Sequence, residues 1–228
     1  MRSSKLYSAM QRWLHTLRIC WSAHIAVLLV AICAATVGII VQCRSEAIGQ
    51  AVQHALNYAE VVLPLVAMAL TCHIFTVDRD QGFMELLRTY PGHRMVLVLE
   101  RMAAGWLYVI LGVGLALVAL GSLTPVPARY VTTSFAPPSL LLMGLGLLVA
   151  ALSHSWITGL ATGAVYWLWE MITRGNLTGM LFLFPESMLR RSGSDLVRSR
   201  MAIALVGLAL LCSAVITYWD QLRRQVDN

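Results

Sequence analysis

Long apolar runs recur along this 228-residue chain, and no other feature restricts its fold so sharply. A run of 18 or more apolar residues is long enough, as a helix, to cross a hydrocarbon core roughly 30 Å thick. In lipid such a segment has to satisfy its own backbone N–H and C=O groups, which leaves helices as the spanning element here. Six candidate spans follow one another, at about 21–41, 58–77, 95–120, 137–152, 156–173 and 201–219. The fold class they imply is an all-α integral membrane protein with six transmembrane helices, forming a single transmembrane domain over 1–228. Composition agrees: 58% of residues are hydrophobic and 12% charged, against about 25% charged in soluble domains.

The net charge of +6 does not mark a nucleic-acid binder. The basic residues stand at the ends of apolar runs, with no basic stripe interleaved with aromatics. Cys20, Cys33, Cys43, Cys72 and Cys212 are odd in number, lack CxxC spacing and lie mostly inside apolar runs, so they read as small apolar fillers. Cys20 and His24 share a helix face but have no carboxylate nearby, and no metal site is expected. No cleavable signal peptide is expected either, because the first 18 residues are polar and periodic.

Residues 1–20 are expected to form an interfacial amphipathic helix. Within 5–18, Tyr7, Met10, Trp13, Leu14 and Leu17 fall at helical spacing on one face, with Lys5, Gln11, Arg12 and His15 on the other. Pro64 predicts a bend in the second span. The linker 121–138 holds Pro125, Pro127, Pro137 and Pro138, which should prevent a regular helix throughout. Ser153-His154-Ser155 is the only polar break between the fourth and fifth spans and predicts a tight hairpin. Segment 174–200 includes Leu177–Leu189, apolar but too short to span and interrupted by Pro185, so it reads as a re-entrant outer element.

Basic residues orient the chain. With the N-terminus inside, the cytoplasmic side holds ten: Arg2, Lys5, Arg12, Arg18, Arg79, Arg88, Arg94, Arg101, Arg223 and Arg224. The outer side holds seven: Arg44, Arg129, Arg174, Arg190, Arg191, Arg198 and Arg200. Five of those seven fall in 174–200, which makes the last outer segment the exception to the rule. Both termini are therefore expected to be cytoplasmic.

Between the second and third spans lies a charged amphipathic stretch, Asp78–Arg101. Asp78 with Gln81 forms a capping box, and Asp80 suits a helix N-terminus. Phe83, Met84, Leu87 and Tyr90 share one face, Gln81, Glu85 and Arg88 make the other, and Pro91-Gly92 ends the helix. The pattern acidic–x–Gly–x–x–Glu–x–Leu–x–x–x–Pro–x–x–Arg, carried by Asp80, Gly82, Glu85, Leu87, Pro91 and Arg94, resembles the coupling helix of type-2 ABC transporter permeases. Phe83 departs from that family, where a small hydroxyl residue usually follows the glycine. The likeness extends to the interfacial N-terminal helix, the six spans and the re-entrant outer element before the last span.

The resemblance implies a coupling helix over 78–92, with Phe83, Leu86 and Leu87 as the apolar grip on an ATPase and Glu85 and Arg88 setting register. It implies two P-loop ATPase subunits and a second permease chain, identical or homologous, in the plasma (inner) membrane of a bacterium. The chain itself is not expected to be an enzyme or to hold a cofactor. Its one lysine, Lys5, is not preceded by the glycines of a phosphate-binding loop, so ATP and Mg would be bound by the partner.

Glu60 and Glu170 are expected near the outer ends of the second and fifth spans, as candidates for contact with substrate or a gate. His73 and His154 read as interfacial histidines. Gly159-x-x-x-Gly163, Gly112-x-Gly114 and Gly144-x-Gly146 permit close helix packing. The tryptophans in the spans read as interfacial anchors and packing. The largely aliphatic and aromatic wall suits export of an amphipathic or lipid-like cargo, with membrane lipid as the surrounding partner. The alternatives are a secondary transporter or channel subunit, or a non-transporting membrane anchor or sensor. An intramembrane hydrolase would need a nucleophile with a base, paired acids or metal ligands meeting at one depth; the histidines are scattered and there is no H-E-x-x-H pattern, which disfavours it.

Overall fold

The computed structural model describes residues 13, 14, 17, 23–72, 94–124, 128–184 and 194–227. The expected coupling helix over 78–92, and most of the expected interfacial helix over 1–20, lie outside the described residues. Every regular element among those described is helical. Helix α1 is Ala23–Ser45. Helix α2 comprises Ile48–Asn57 and Leu63–Thr71, joined by a π-helical turn at Tyr58–Val62. Helix α3 comprises Arg94–Val109 and Leu115–Leu123, joined by a second π turn at Ile110–Gly114. Helices α4 (Ala128–Ser153), α5 (Trp156–Thr173) and α6 (Ser194–Asp227) complete the bundle.

Five helices are long and apolar enough to cross a membrane: Ile25–Ser45, Ile48–Thr71, Val98–Leu123, Thr132–Ser153 and Ser194–Gln221. They make the chain consistent with a multi-pass membrane protein. Helix α5 matches its expected bounds and has 18 residues, about 27 Å at a rise of ~1.5 Å per residue. It is not among the five; Glu170, its threonines and its tryptophans lower its hydropathy.

Three boundaries differ from expectation. Only Glu46 and Ala47 separate α1 from α2, where a longer connection was expected. Residues 48–57 are amphipathic rather than apolar, and they fold as helix by burying Ala51, Ala55 and Leu56. The turn is tied by Cys43 Sγ donating to the Ala51 carbonyl at 3.4 Å and by His54 Nε2 against Glu46 Oε2 at 3.0 Å.

The second difference is α4, which starts at Ala128 and runs straight through Pro137 and Pro138. Each proline withholds an N–H from the carbonyl four residues back. Membrane helices tolerate this when hydroxyls and neighbouring helices supply replacement partners. The carbonyls so freed are those of Thr133 and Ser134; next to them Ser139 Oγ donates to the Phe135 carbonyl at 2.6 Å, and Arg200 Nη2 of α6 donates to Ser134 Oγ. Third, α6 begins at Ser194 rather than near 201. Arg198 and Arg200 therefore belong to a helix and not to an outer loop.

Helix α4 is the hub, with α2, α5 and α6 packed on it. Small residues set the approach distances. A Cβ on Gly207 would lie 2.6 Å from the Leu140 carbonyl carbon, and one on Gly144 would lie 2.6 Å from the Gly207 carbonyl oxygen. The Gly159/Gly163 pair packs within the chain as expected, Gly159 against Gly146 and Ala150 of α4 and Gly163 against Met68 of α2. The α4–α5 hairpin is tight: His154 takes φ 59°, and Ser155 caps α5 by accepting from the Thr158 N–H.

Consecutive helices run antiparallel. At one end of the α4–α6 pair Arg200 reaches Ser134, and at the other Gln221 Nε2 donates to the Ala151 carbonyl at 2.9 Å. The C-terminal end of α2, the α4–α5 hairpin and the C-terminal turns of α6 thus share one end of the bundle.

Candidate functional site

The polar residues that the fold draws together lie on α2, α4, α5, α6 and the chain following α5. Their focus is the π turn in α2. Pro64 has no N–H to give the Glu60 carbonyl, and the ladder changes register just before it, with the Leu63 N–H bonding to the Tyr58 carbonyl five residues back. The bend expected at Pro64 is realised as this turn. Tyr58, Ala59 and Glu60 are all buried by it.

Glu60 is fully buried and stands twelve positions after Ile48 and eleven before Thr71. The expectation that it lies near an end of its span is therefore corrected; because α2 begins at Ile48, Glu60 is mid-helix. A lone carboxylate at such a depth costs roughly 2.5–3.5 kcal/mol on insertion scales. Arg200 offsets that cost. Its Nη2 lies 3.7 Å from Glu60 Oε1 and donates to Ser134 Oγ at 3.1 Å, so one guanidinium joins α6 to both α2 and α4. Ser134 and Glu60 have no exposed surface, and the Arg200 side chain is 12% exposed.

Glu170 of α5 is also fully buried. It lies in the last turn of α5, as expected. Arg174 caps α5 in the left-handed conformation, and Gly175 follows with φ 76°. That turn brings Thr178 back so that its Oγ1 donates to Glu170 Oε2 at 3.0 Å. Tyr166 and the Leu183 backbone lie close to the same carboxylate without closing a well-formed hydrogen bond on Oε1.

The described part of the expected re-entrant element, 174–184, folds back into the bundle. Phe182, Leu183 and Phe184 are fully buried. Phe184 meets Phe182 and Trp167 edge-on, at centroid distances of 5.7 and 6.3 Å. Ser199 Oγ donates to the Met180 carbonyl at 2.7 Å, which fixes the segment on α6.

Of the residues singled out from sequence, Glu60 is thus buried with Arg200 and Ser134, and Glu170 is buried separately with Thr178. Asp80, Gly82, Phe83, Glu85, Leu86, Leu87, Arg88 and Pro91 lie outside the described residues, and Arg94 is the first residue of α3. Arg200 and Ser134 escaped the sequence reading, which assigned them to an outer segment and a linker. A signal existed in the buried row Ser199, Ile203, Gly207, Leu211, Ala214 and Tyr218, whose three- and four-residue steps extend the inward stripe of α6 back to Arg200. Arg101, counted as a cytoplasmic topology charge, is also buried in α3.

Among the described residues, no group of three or more His, Cys, Asp or Glu side chains could hold a metal ion. Cys33, Cys43, Cys72 and Cys212 are free thiols. The arrangement can stabilise or release buried charge as helices move; it presents no nucleophile with a base. Comparison with protein-family models, curated proteins and solved structures finds no match to this chain.

Proposed function

We propose that this chain is the transmembrane permease subunit of a bacterial ATP-binding-cassette transporter, with six spans and both termini in the cytoplasm. The observation that carries the reading is the Asp80–Gly82–Glu85–Leu87–Pro91–Arg94 pattern in the α2–α3 connection. The helix order supports it, since the C-terminal end of α2, from which that connection leaves, lies at the same end of the bundle as the α4–α5 hairpin and the C-terminal turns of α6. Helix α5 serves as the remaining span, with Glu170 buried inside the bundle. Two P-loop ATPases and a second permease chain complete the assembly. Closure of the ATPases on ATP drives the 78–92 helix as a lever, and an amphipathic or lipid-like cargo is exported by alternating access. In this scheme Glu60–Arg200 is a latch between α2, α4 and α6 that has to part, or stay paired while the helices rotate together.

The test is purification of the tagged chain from its native membrane, with identification of its companions. A co-purifying P-loop ATPase whose hydrolysis is uncoupled from transport by Glu85→Arg, with the bundle still folded, is the expected result. A complex lacking such an ATPase, or unchanged transport by the variant, overturns the reading.

One observation favours a second reading, a secondary transporter. Buried ionisable residues within interrupted membrane helices mark ion-coupled pathways. Glu60, Arg200 and Glu170 are such residues, and α2 and α3 are each interrupted by a π turn. Transport that follows a proton gradient without ATP would select it.

A further inference from the structure

On the far side of the α2 π turn from Glu60, a laterally open cleft of about 380 Å³ runs between α1, α2 and α5. Its size falls within the range of about 300–1,000 Å³ that small-molecule sites occupy. Ile39, Val61, Val62 and Met171 line its apolar part, and His54 and Asn57 line its polar part. The polarity is graded along α2. His54 and Asn57 are nearer the Glu46-Ala47 turn, and Val61 and Val62 are nearer the helix centre. Beside the cleft the surface is apolar and exposed, with Val62 on α2 lining it and Ile172 next to Met171 on α5. In a multi-pass protein that surface faces hydrocarbon, so the occupant arrives from the bilayer. A polar end toward the turn and an apolar end toward the helix centre match a lipid lying parallel to the spans.

The polar groups select the head. Asn57 Oδ1 accepts from Gln53 Nε2 at 3.1 Å, which orients the Asn57 NH2 to donate elsewhere, as to a phosphodiester oxygen. Exposed Arg44, in the last turn of α1, adds positive charge at the same turn. The Glu46 carboxylate stands behind His54 at the rim, with Oε2 buried against the imidazole. The exposed Oε1 accepts from Gln42 Nε2 at 3.2 Å and is the oxygen a ligand can reach. The carboxylate attracts an ammonium and repels a head carrying net negative charge. A donor ammonium can also hydrogen-bond to it, which a trimethylated one cannot. We infer that the cleft between α1, α2 and α5 binds an amine-bearing zwitterionic phospholipid, with one acyl chain along Ile39, Val61, Val62 and Met171 and the head between Glu46 and Asn57. The inference stands apart from the transport reading, because binding is measured on the chain whatever it moves.

The full chain is reconstituted in nanodiscs of equal parts phosphatidylethanolamine and phosphatidylglycerol, and in others with phosphatidylcholine replacing the ethanolamine lipid. Retained lipid is then read by native mass spectrometry. Phosphatidylethanolamine should be retained about tenfold over either competitor, the ratio that one charge-assisted hydrogen bond supplies. Glu46→Gln should erase the preference, and Ile39→Trp, which fills the cleft, should lower total retention. Retained lipid that mirrors the bulk mixture in the unaltered chain overturns the proposal even if Ile39→Trp fails to fold. So does retention unchanged in a folded Ile39→Trp protein. A second copy of the chain cross-linked across the cleft would also overturn it.

Discussion

Trp167 of α5 donates its indole N–H to the Val61 carbonyl of α2 at 2.8 Å, across 106 residues of sequence. The acceptor lies inside the π turn that carries Glu60, so the irregular ladder of one helix is completed by a side chain from another. The same indole ring packs edge-on against Phe184. One residue thereby connects the α2 irregularity to the 174–184 segment that carries Thr178, the partner of Glu170.

Trp167→Phe keeps most of the ring and removes the donor. The Val61 carbonyl then loses a buried partner, at a cost of about 1–3 kcal/mol. Thermal unfolding of the purified protein in detergent should show the loss, and an unshifted midpoint would argue that the bond adds nothing.

Breaking the buried ion pair from either side leaves one charge uncompensated, so Glu60→Gln and Arg200→Gln should each destabilise by roughly 3–5 kcal/mol. The double variant should cost much less than the sum of the two, because no lone charge remains. A double-mutant cycle on unfolding free energy measures this directly. Additive effects would mean that the two groups do not interact.

Gly207→Leu drives a side chain into the α4 backbone, since even a Cβ would sit 2.6 Å from Leu140 and Leu141. A loss of about 3 kcal/mol or more is expected, with the α4–α6 crossing forced apart. Gly38 of α1 is the contrast, with nothing within 4 Å of an added Cβ. In the isolated chain Gly38→Ala should be neutral or stabilising by up to ~1 kcal/mol. If the same change weakens self-association measured by cross-linking, the exposed α1 face contacts another chain.

Antiparallel alternation makes a geometric prediction. Single cysteines placed at Ala47 and at His154, in a background with the five native cysteines replaced, should react with a membrane-impermeant maleimide from opposite sides of a sealed vesicle. Labelling of both from one side would contradict the order of helices described above.

The membrane class, the five apolar helices and the bounds of α5 were legible in the chain because each is a local property: length, hydropathy and the Ser153-His154-Ser155 break. The close approaches at Gly144, Gly159 and Gly163 were legible for the same reason, as small residues at helical spacing. Residues 48–57 were not, because their helix is held by an amphipathic face that exists only once α1 and α4 are there to cover it. Nor was the helix through Pro137 and Pro138, where a local rule about proline yields in a helix packed against α2, α5 and α6.

The sequence by itself determined that this chain carries helices apolar and long enough to cross a membrane, and that Glu60 and Glu170 needed an explanation. Only the tertiary structure decided the explanation for Glu60, the pairing with Arg200 140 positions away. The physical reason is that a buried charge in a low-dielectric bundle is set by the nearest opposite charge in space. A helix that begins seven residues earlier than its hydropathy announces is enough to bring that charge inside.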